Sequence, residues 1–296
     1  MNHKFAIRVV GVDKSYGDLS VLSDINIKVR KGEFVTIVGP TGCGKSTLFR
    51  LLLGSEKPDR GMILADDKQV LQPDRNRGIV FQKYSLFPDK TVEQNVMFGL
   101  ELEYYNLWET FLQKVSRGIY KRSRQAEFLS KTRTYLESVG LWEARNKYPH
   151  ELSGGMKQRV SIAQTLIMKP KVLLMDEPFG ALDFSTRESM QIFLLEQWAK
   201  FKTTVLFVTH DLDEALFLGT RLIVLSQHYQ KTNGASGAKI VKDIALPWLH
   251  PRPSSVKGTP EFADLGRDVL KAGLDPNHLQ SIQEFNLTHY DAEKII

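Results

Sequence analysis

The chain has 296 residues, 42% of them hydrophobic and 25% charged, with a formal charge of +6 at pH 7. That length supports a sizeable buried core, and no apolar run reaches the roughly eighteen residues that a bilayer-spanning helix needs. A single cysteine, Cys43, rules out an intramolecular disulfide and fits a reducing compartment, while the positive balance permits anionic partners without requiring them.

The start, "MNHKFAIRVV", has no apolar core of a signal peptide and no small-residue cleavage site, so secretion is not expected. "FAIRVVGV", "INIKVRKGE" and "GMILADDKQV" read as short strands joined by Gly- and Asp-rich turns. Between the last two lies "FVTIVGPTGCGKSTLFRLLLG": an apolar strand, a glycine-rich turn and an apolar helix that stops at Gly54. From Thr91 to Thr165 the pattern is mostly helical. "KVLLMDEP" and "TTVLFVTH" follow as continuous apolar strands, with a helix through "TRESMQIFLLEQWAKF" between them, and "RLIVLS" adds one more strand. Apolar strands without alternation are buried on both faces, which predicts a parallel sheet covered by helices, an α/β fold. After Ser226, "HYQKTNGASGAK" reads as a polar turn, "LPWLHPRPSSVKGTP" as an extended Pro-rich stretch and "FADLGRDVLKAGL" as a helix.

"GPTGCGKST" fits G-x-x-x-x-G-K-[ST] from Gly39 to Ser46, between a strand and a helix as this phosphate loop requires. Its glycines let backbone N–H groups wrap a β-phosphate, Lys45 reaches the β- and γ-oxygens, and the Ser46 hydroxyl suits Mg²⁺. Cys43 has no adjacent base in the sequence and reads as a small permissive residue. "KVLLMDEP" puts Asp176 and Glu177 at the carboxyl end of a buried strand, where open α/β sheets bind ligands. Asp176 suits Mg²⁺, directly or through water, and Glu177 suits polarising an attacking water. His210 closes "TTVLFVTH" and is expected beside the γ-phosphate. Gln82, in "GIVFQKYSLFP", follows another apolar strand, and its side-chain oxygen is suited to complete the shell of Mg²⁺ and water.

"LSGGMKQRV", Leu152 to Val160, is a second place where free backbone N–H groups and a helix dipole favour an anion. It lies beyond the helical region and is not expected to reach its own Lys45 loop. A second copy, facing head to tail, would bring Ser153, Gly154 and Gly155 to a γ-phosphate held by the first, so that each ATP is sandwiched between two subunits.

In this order and spacing the segments from Phe5 to Ser226 resemble the ATP-binding subunit of an ABC transporter. The resemblance implies a P-loop NTPase core, a mostly parallel sheet flanked by helices, with an N-terminal antiparallel β subdomain and a helical arm subdomain at about 90–165. The ATP-binding domain would occupy 1–245 and a C-terminal extension 246–296. ATP would be held by Tyr16, stacked on adenine, and by Gly39, Pro40, Thr41, Gly42, Cys43, Gly44, Lys45, Ser46 and Thr47. Mg²⁺ would be held by Ser46, Gln82 and Asp176, and catalysis would fall to Glu177, His210, Lys45 and Gln82. Ser153, Gly154, Gly155, Met156 and Gln158 would touch the neighbour's ATP, and Asp183 in "GALD" would signal across the dimer. The implied partners are transmembrane permease subunits, a second ATP-binding subunit (a copy or a paralogue) and, indirectly, a solute-binding protein, with the chain peripheral on the cytoplasmic face of the membrane. No nucleic acid partner is expected.

"GIVFQKYSLFPDKTVEQNVMFGLE", "LSGGMKQRVSIAQTL" and "MDEPFGALDFSTR" look like the importer branch for nitrate, sulfonate, taurine or bicarbonate. Gln164 and Thr165 depart from it, standing where the family usually has Arg-Ala. The stretch from Gly99 to Gln125 is also long, with Leu107, Phe111, Val115 and Ile119 every four residues, the pattern of an amphipathic helix. It packs on the helical arm, or docks on the membrane subunit or lipid headgroups with its basic end "YKRSR" facing phosphates. The alternative reading of the whole chain is a soluble ABC-type ATPase acting on nucleic acid or the ribosome. Such proteins usually carry long coiled coils or two motif sets, whereas here the set occurs once and no heptads are sustained.

Overall fold

β1 (Phe5–Tyr16) and β2 (Leu19–Arg30), the latter burying every second residue from Ile25 to Val29, form an antiparallel hairpin turned at Gly17 with its positive φ of 57°. β4 (Arg60–Ala65) pairs with β1 and carries the short β5 (Lys68–Gln69), giving a four-stranded antiparallel sheet of order β2-β1-β4-β5. The computed structural model describes residues 4–82, 85–104, 119–230, 237–250 and 252–292. It falls into two units: Met1–Arg77 with Lys171–Glu177 and Leu194–Ile296, and Gly78–Pro170 with Pro178–Phe193.

The first unit is built on the apolar strands. β3 (Phe34–Val38) and β8 (Thr204–Val208) are buried at every position, as is β9 (Arg221–Ser226), and β7 (Val172–Asp176) is buried up to its last residue. β3 runs parallel to both β8 and β9, and β7 parallel to β8, as expected for strands covered on both faces. α1 (Lys45–Leu53) follows β3, and its apolar residues Leu48, Phe49, Leu51 and Leu52 are buried. β6 (Arg77–Val80) carries the chain into the second unit.

β10 (Lys239–Ala245) adds an antiparallel strand to β9 that was not legible from the sequence. Its charged Lys242 and Asp243 are buried, because Lys242 pairs with Asp268 and Asp243 with Arg221. Arg221, with 0% exposure, donates to both carboxylate oxygens of Asp243 at 2.6 Å and to the Lys28 carbonyl at 2.6 Å. Glu33 lies 3.5 Å from the same guanidinium, and burial pushes its carboxyl up against the pull of Arg221. The C-terminal extension covers this edge: Asp243 N–H donates to Asn286 O, Asn286 N–H to Val241 O and His289 N–H to Asp243 O. Burial holds the His289 imidazole down at about 4, so it is neutral beside Arg221 at pH 7. Residues 246–292 therefore belong to the first unit, with Phe262 and Val269 of α7 (Pro260–Val269) in its core. Asp243→Ala removes the bidentate partner of a buried guanidinium, leaving it only Glu33 at 3.5 Å for a counter-ion, and is expected to cost about 3 kcal/mol in denaturant unfolding.

In the second unit α2 (Val92–Tyr104), α3 (Ile119–Ser138) and α4 (Gly154–Leu166) pack on one another. The buried Asn95 accepts from Phe87 N–H and donates to the Phe87, Lys90 and Thr91 carbonyls, tying the loop that follows β6 to the start of α2. The departure at Thr165 is accommodated locally. Its hydroxyl bonds Ser161 O at 2.9 Å, and a Cβ on Gly78 would lie 2.5 Å from its methyl, so the glycine makes room for it. Of the amphipathic stretch, Leu107, Phe111 and Val115 lie outside the described residues.

Candidate functional site

The buried β3 ends at Val38, and the chain turns through Gly39, Pro40 and the exposed Thr41 and Gly42 before α1 begins at Lys45. A Cβ on Gly39 would stand 2.1 Å from the Leu225 carbonyl, so only glycine fits against β9. Gly44 starts the helix at φ 98°, with no side chain capping its N–H groups. Those donors and the helix dipole point to a place for phosphate. Lys45 is buried and donates to Gly39 O at 2.7 Å and Pro40 O at 3.0 Å. Cys43 is buried, and burial pushes its thiol up, which makes it a poor nucleophile. Ser46 is exposed at the loop's rim, and Thr47 is buried in α1.

Parallel β7 and β8 bring the next residues together. Burial pushes the Asp176 carboxyl up and the Glu177 charge adds to it, while a hydrogen bond from Ser46 and the charges of Lys45 and Arg50 pull it down. The Asp176 carboxylate and the Ser46 hydroxyl that bonds it are hard oxygen donors, the kind of ligand Mg²⁺ takes. Glu177 sits at φ 46°, an unusual conformation for a residue with a side chain, fixed by its N–H bond to Val208 O at 2.9 Å. Its Oε2 is 3.1 Å from His210 Nδ1. His210 precedes Asp211, the N-cap of α6 (Leu212–Leu218), whose carboxylate accepts Glu214 N–H.

Tyr16 ends β1 with its ring 42% exposed, as a platform for a base requires. Its hydroxyl donates to Glu56 and accepts from Arg50 at 3.1 Å, and Arg50 pairs with Glu56 at 2.9 Å. Arg50 and Glu56 escaped the sequence reading because they lie 34 and 40 residues from Tyr16, a separation no local pattern reveals.

The other expected residues lie in the second unit. Gln82 is exposed just after β6. Ser153 is exposed and caps α4, its hydroxyl accepting Met156 N–H at 3.3 Å. Gly154 and Met156 are half-buried, and Gly155 is buried where a Cβ would meet Thr186 at 2.6 Å. Gln158, expected at the neighbour's ATP, is instead fully buried with neither amide atom hydrogen-bonded. It lies three residues beyond Gly155 on the same inward face of α4, which withdraws it from surface contact. Asp183 is exposed and caps α5 (Phe184–Phe201), and the bonds from Thr186 N–H and Ser185 hold its carboxyl down at about 2.

Comparison with known proteins identifies the family. Residues 22–180 match the ABC transporter family model. The nitrate import ATP-binding protein NrtD of Synechocystis is 46% identical over 90% of this chain and 93% of its own length. The aliphatic sulfonates import ATP-binding protein SsuB of Bacillus cereus is 38% identical over 87% and 90%. Among solved structures, cbiO1 of Clostridium perfringens, part of the ABC transporter complex cbiONQ, aligns with a TM-score of 0.67 at 26% identity over 90% of this chain and 95% of its own. A dimeric ATP-binding cassette in a post-hydrolysis state, bound to ADP and Pi, aligns with a TM-score of 0.64 at 28% identity, over 82% of this chain and all of its own. The P-loop core and the relatives lead to one conclusion: the chain belongs to the ABC transporter family, as an ATP-binding, ATP-hydrolysing subunit.

Proposed function

We propose that this subunit energises an importer of a small anion of the nitrate, sulfonate, taurine or bicarbonate kind, working as a dimer on the cytoplasmic face of the membrane against separate permease subunits. The observation that carries the substrate class is the identity shared with NrtD and SsuB over nine-tenths of the chain, and it favours transport over a nucleic-acid or ribosome partner. No helix among the described residues is long and apolar enough to cross a membrane, so the pathway for the solute would be supplied by permease subunits.

At the site, Tyr16 would stack on adenine and the loop from Gly39 to Thr47 would wrap the phosphates, with Lys45 swinging from its carbonyl partners to the β- and γ-oxygens. Ser46 and Asp176 would hold Mg²⁺, and the ion would supply neutralisation of phosphate charge. Glu177 would orient and deprotonate the attacking water, and His210 would contact the γ-phosphate while steadying Glu177. Ser153, Gly154 and Met156 would complete the charge stabilisation from the neighbouring subunit, with Asp183 reporting across the pair. A tagged chain purified gently from its native membrane is expected to bring down an integral-membrane permease. Recovery of ribosomal or DNA-bound partners in its place would contradict the transport reading.

A further inference from the structure

We infer that Arg252, in the C-terminal extension, is a positioning residue for the nucleotide site, capping the far end of α6 and so fixing where His210 stands. The inference rests on the role given above to His210.

α6 has seven residues, about two turns, too short to hold its place by its own hydrogen bonds. It starts at Asp211, directly after His210, so the histidine moves with it. Its other end lacks the left-handed glycine that commonly closes a helix, since Gly219 is extended at φ −73° and ψ 149°. The carbonyls left over there are taken by Arg252. Its Nη1 donates to Leu216 O at 2.8 Å and its Nη2 to Gly219 O at 2.6 Å, while His250 Nε2 approaches Gly219 O at 2.9 Å.

Arg252 is 6% exposed, and among the described residues no carboxylate forms an ion pair with it. Burial holds its pKa down at about 10. A buried guanidinium without a counter-ion is costly, and what offsets it here is the negative end of a helix with unsatisfied carbonyls. The same segment clasps α6 elsewhere. Gly266 lies against Leu216 and Leu212, and Lys257 sits 4.4 Å from the centre of the Phe217 ring. On the opposite side Thr36 of β3, the strand leading into the phosphate loop, donates to Ala215 O at 3.1 Å. α6 is thus held between β3 and the extension, with Arg252 as the polar fastener. Loosening one end of a two-turn helix moves the other, and with it the 3.1 Å contact between His210 and Glu177.

The test compares full-length Arg252→Ala and Arg252→Lys with His210→Ala. Arg252→Ala is expected to bind one ATP per chain with KM within about twofold, and to lose about 5–20-fold in kcat. It should also move the His210 signal in a spectrum of ¹⁵N-histidine-labelled protein, a signal assigned by its disappearance in His210→Ala. Arg252→Lys keeps the cation but not the fork, so its kcat should lie between the two, about 2–4-fold below the parent. If the alanine variant does not fold, the lysine variant carries the test, with the same signal shift at full ATP stoichiometry. An unchanged kcat, an unmoved His210 signal, or activity lost only in proportion to the chains that fail to bind ATP would each overturn the inference. Full hydrolysis by His210→Ala would instead overturn the site reading beneath it.

Discussion

Lys45→Met is expected to weaken ATP binding about 10–100-fold and to abolish measurable hydrolysis. The side chain is nearly buried, and its ammonium donates to two neutral carbonyls, at 2.7 and 3.0 Å. Exchanging these for phosphate oxygens converts neutral hydrogen bonds into charge-assisted ones, each worth about 1.5–3 kcal/mol. Methionine fills the same volume without the charge, so the fold around Gly39 and Pro40 should survive while the phosphate contact is lost. Titration with ATP and unfolding of the same sample separate the two outcomes. A variant that binds ATP normally would remove Lys45 from the phosphate site.

Glu177→Gln is the second large effect, and it divides binding from chemistry. The substitution keeps shape and retains a polar atom for His210 at the position of the present 3.1 Å contact, so ATP affinity is expected to stay within about twofold. If this carboxylate accepts the water's proton as proposed, its loss should lower kcat by about 10²–10⁴-fold. The left-handed backbone at Glu177, φ 46°, is unchanged by the substitution, so the side chain stays where it was. Single-turnover hydrolysis measured beside ATP affinity is the check, and near-normal turnover would remove Glu177 from the role of base.

The parts of this site legible in the sequence are those whose physics is local. Gly39 to Ser46 announces a phosphate loop because the glycines, lysine and serine must stand at fixed spacing. "KVLLMDEP" and "TTVLFVTH" announce buried parallel strands because they lack alternation, and the structure gives β7 and β8 in register beside β3. What stayed hidden depends on distant partners. β10 was missed because Lys242 and Asp243 interrupt its apolar pattern, and both are buried only because Asp268 and Arg221 neutralise them. Tyr16 was noticed through the family resemblance, yet its anchoring by Arg50 and Glu56 is purely tertiary. Gln158 was misassigned because a motif read as a string ignores which face of α4 each residue occupies. The stretch after Ala245 reads as extended and Pro-rich with no identifiable chemistry, and only the structure shows Arg252 closing α6 from within it.

The central claim is that ATP held at Lys45 is completed by Ser153 and its adjoining glycines from another copy. Light scattering of Glu177→Gln, with ATP occupancy confirmed in the same sample, tests this most directly. The account predicts that saturating ATP doubles the particle mass and that adding Ser153→Arg returns it to a single chain. A single-chain mass at full ATP occupancy would contradict it.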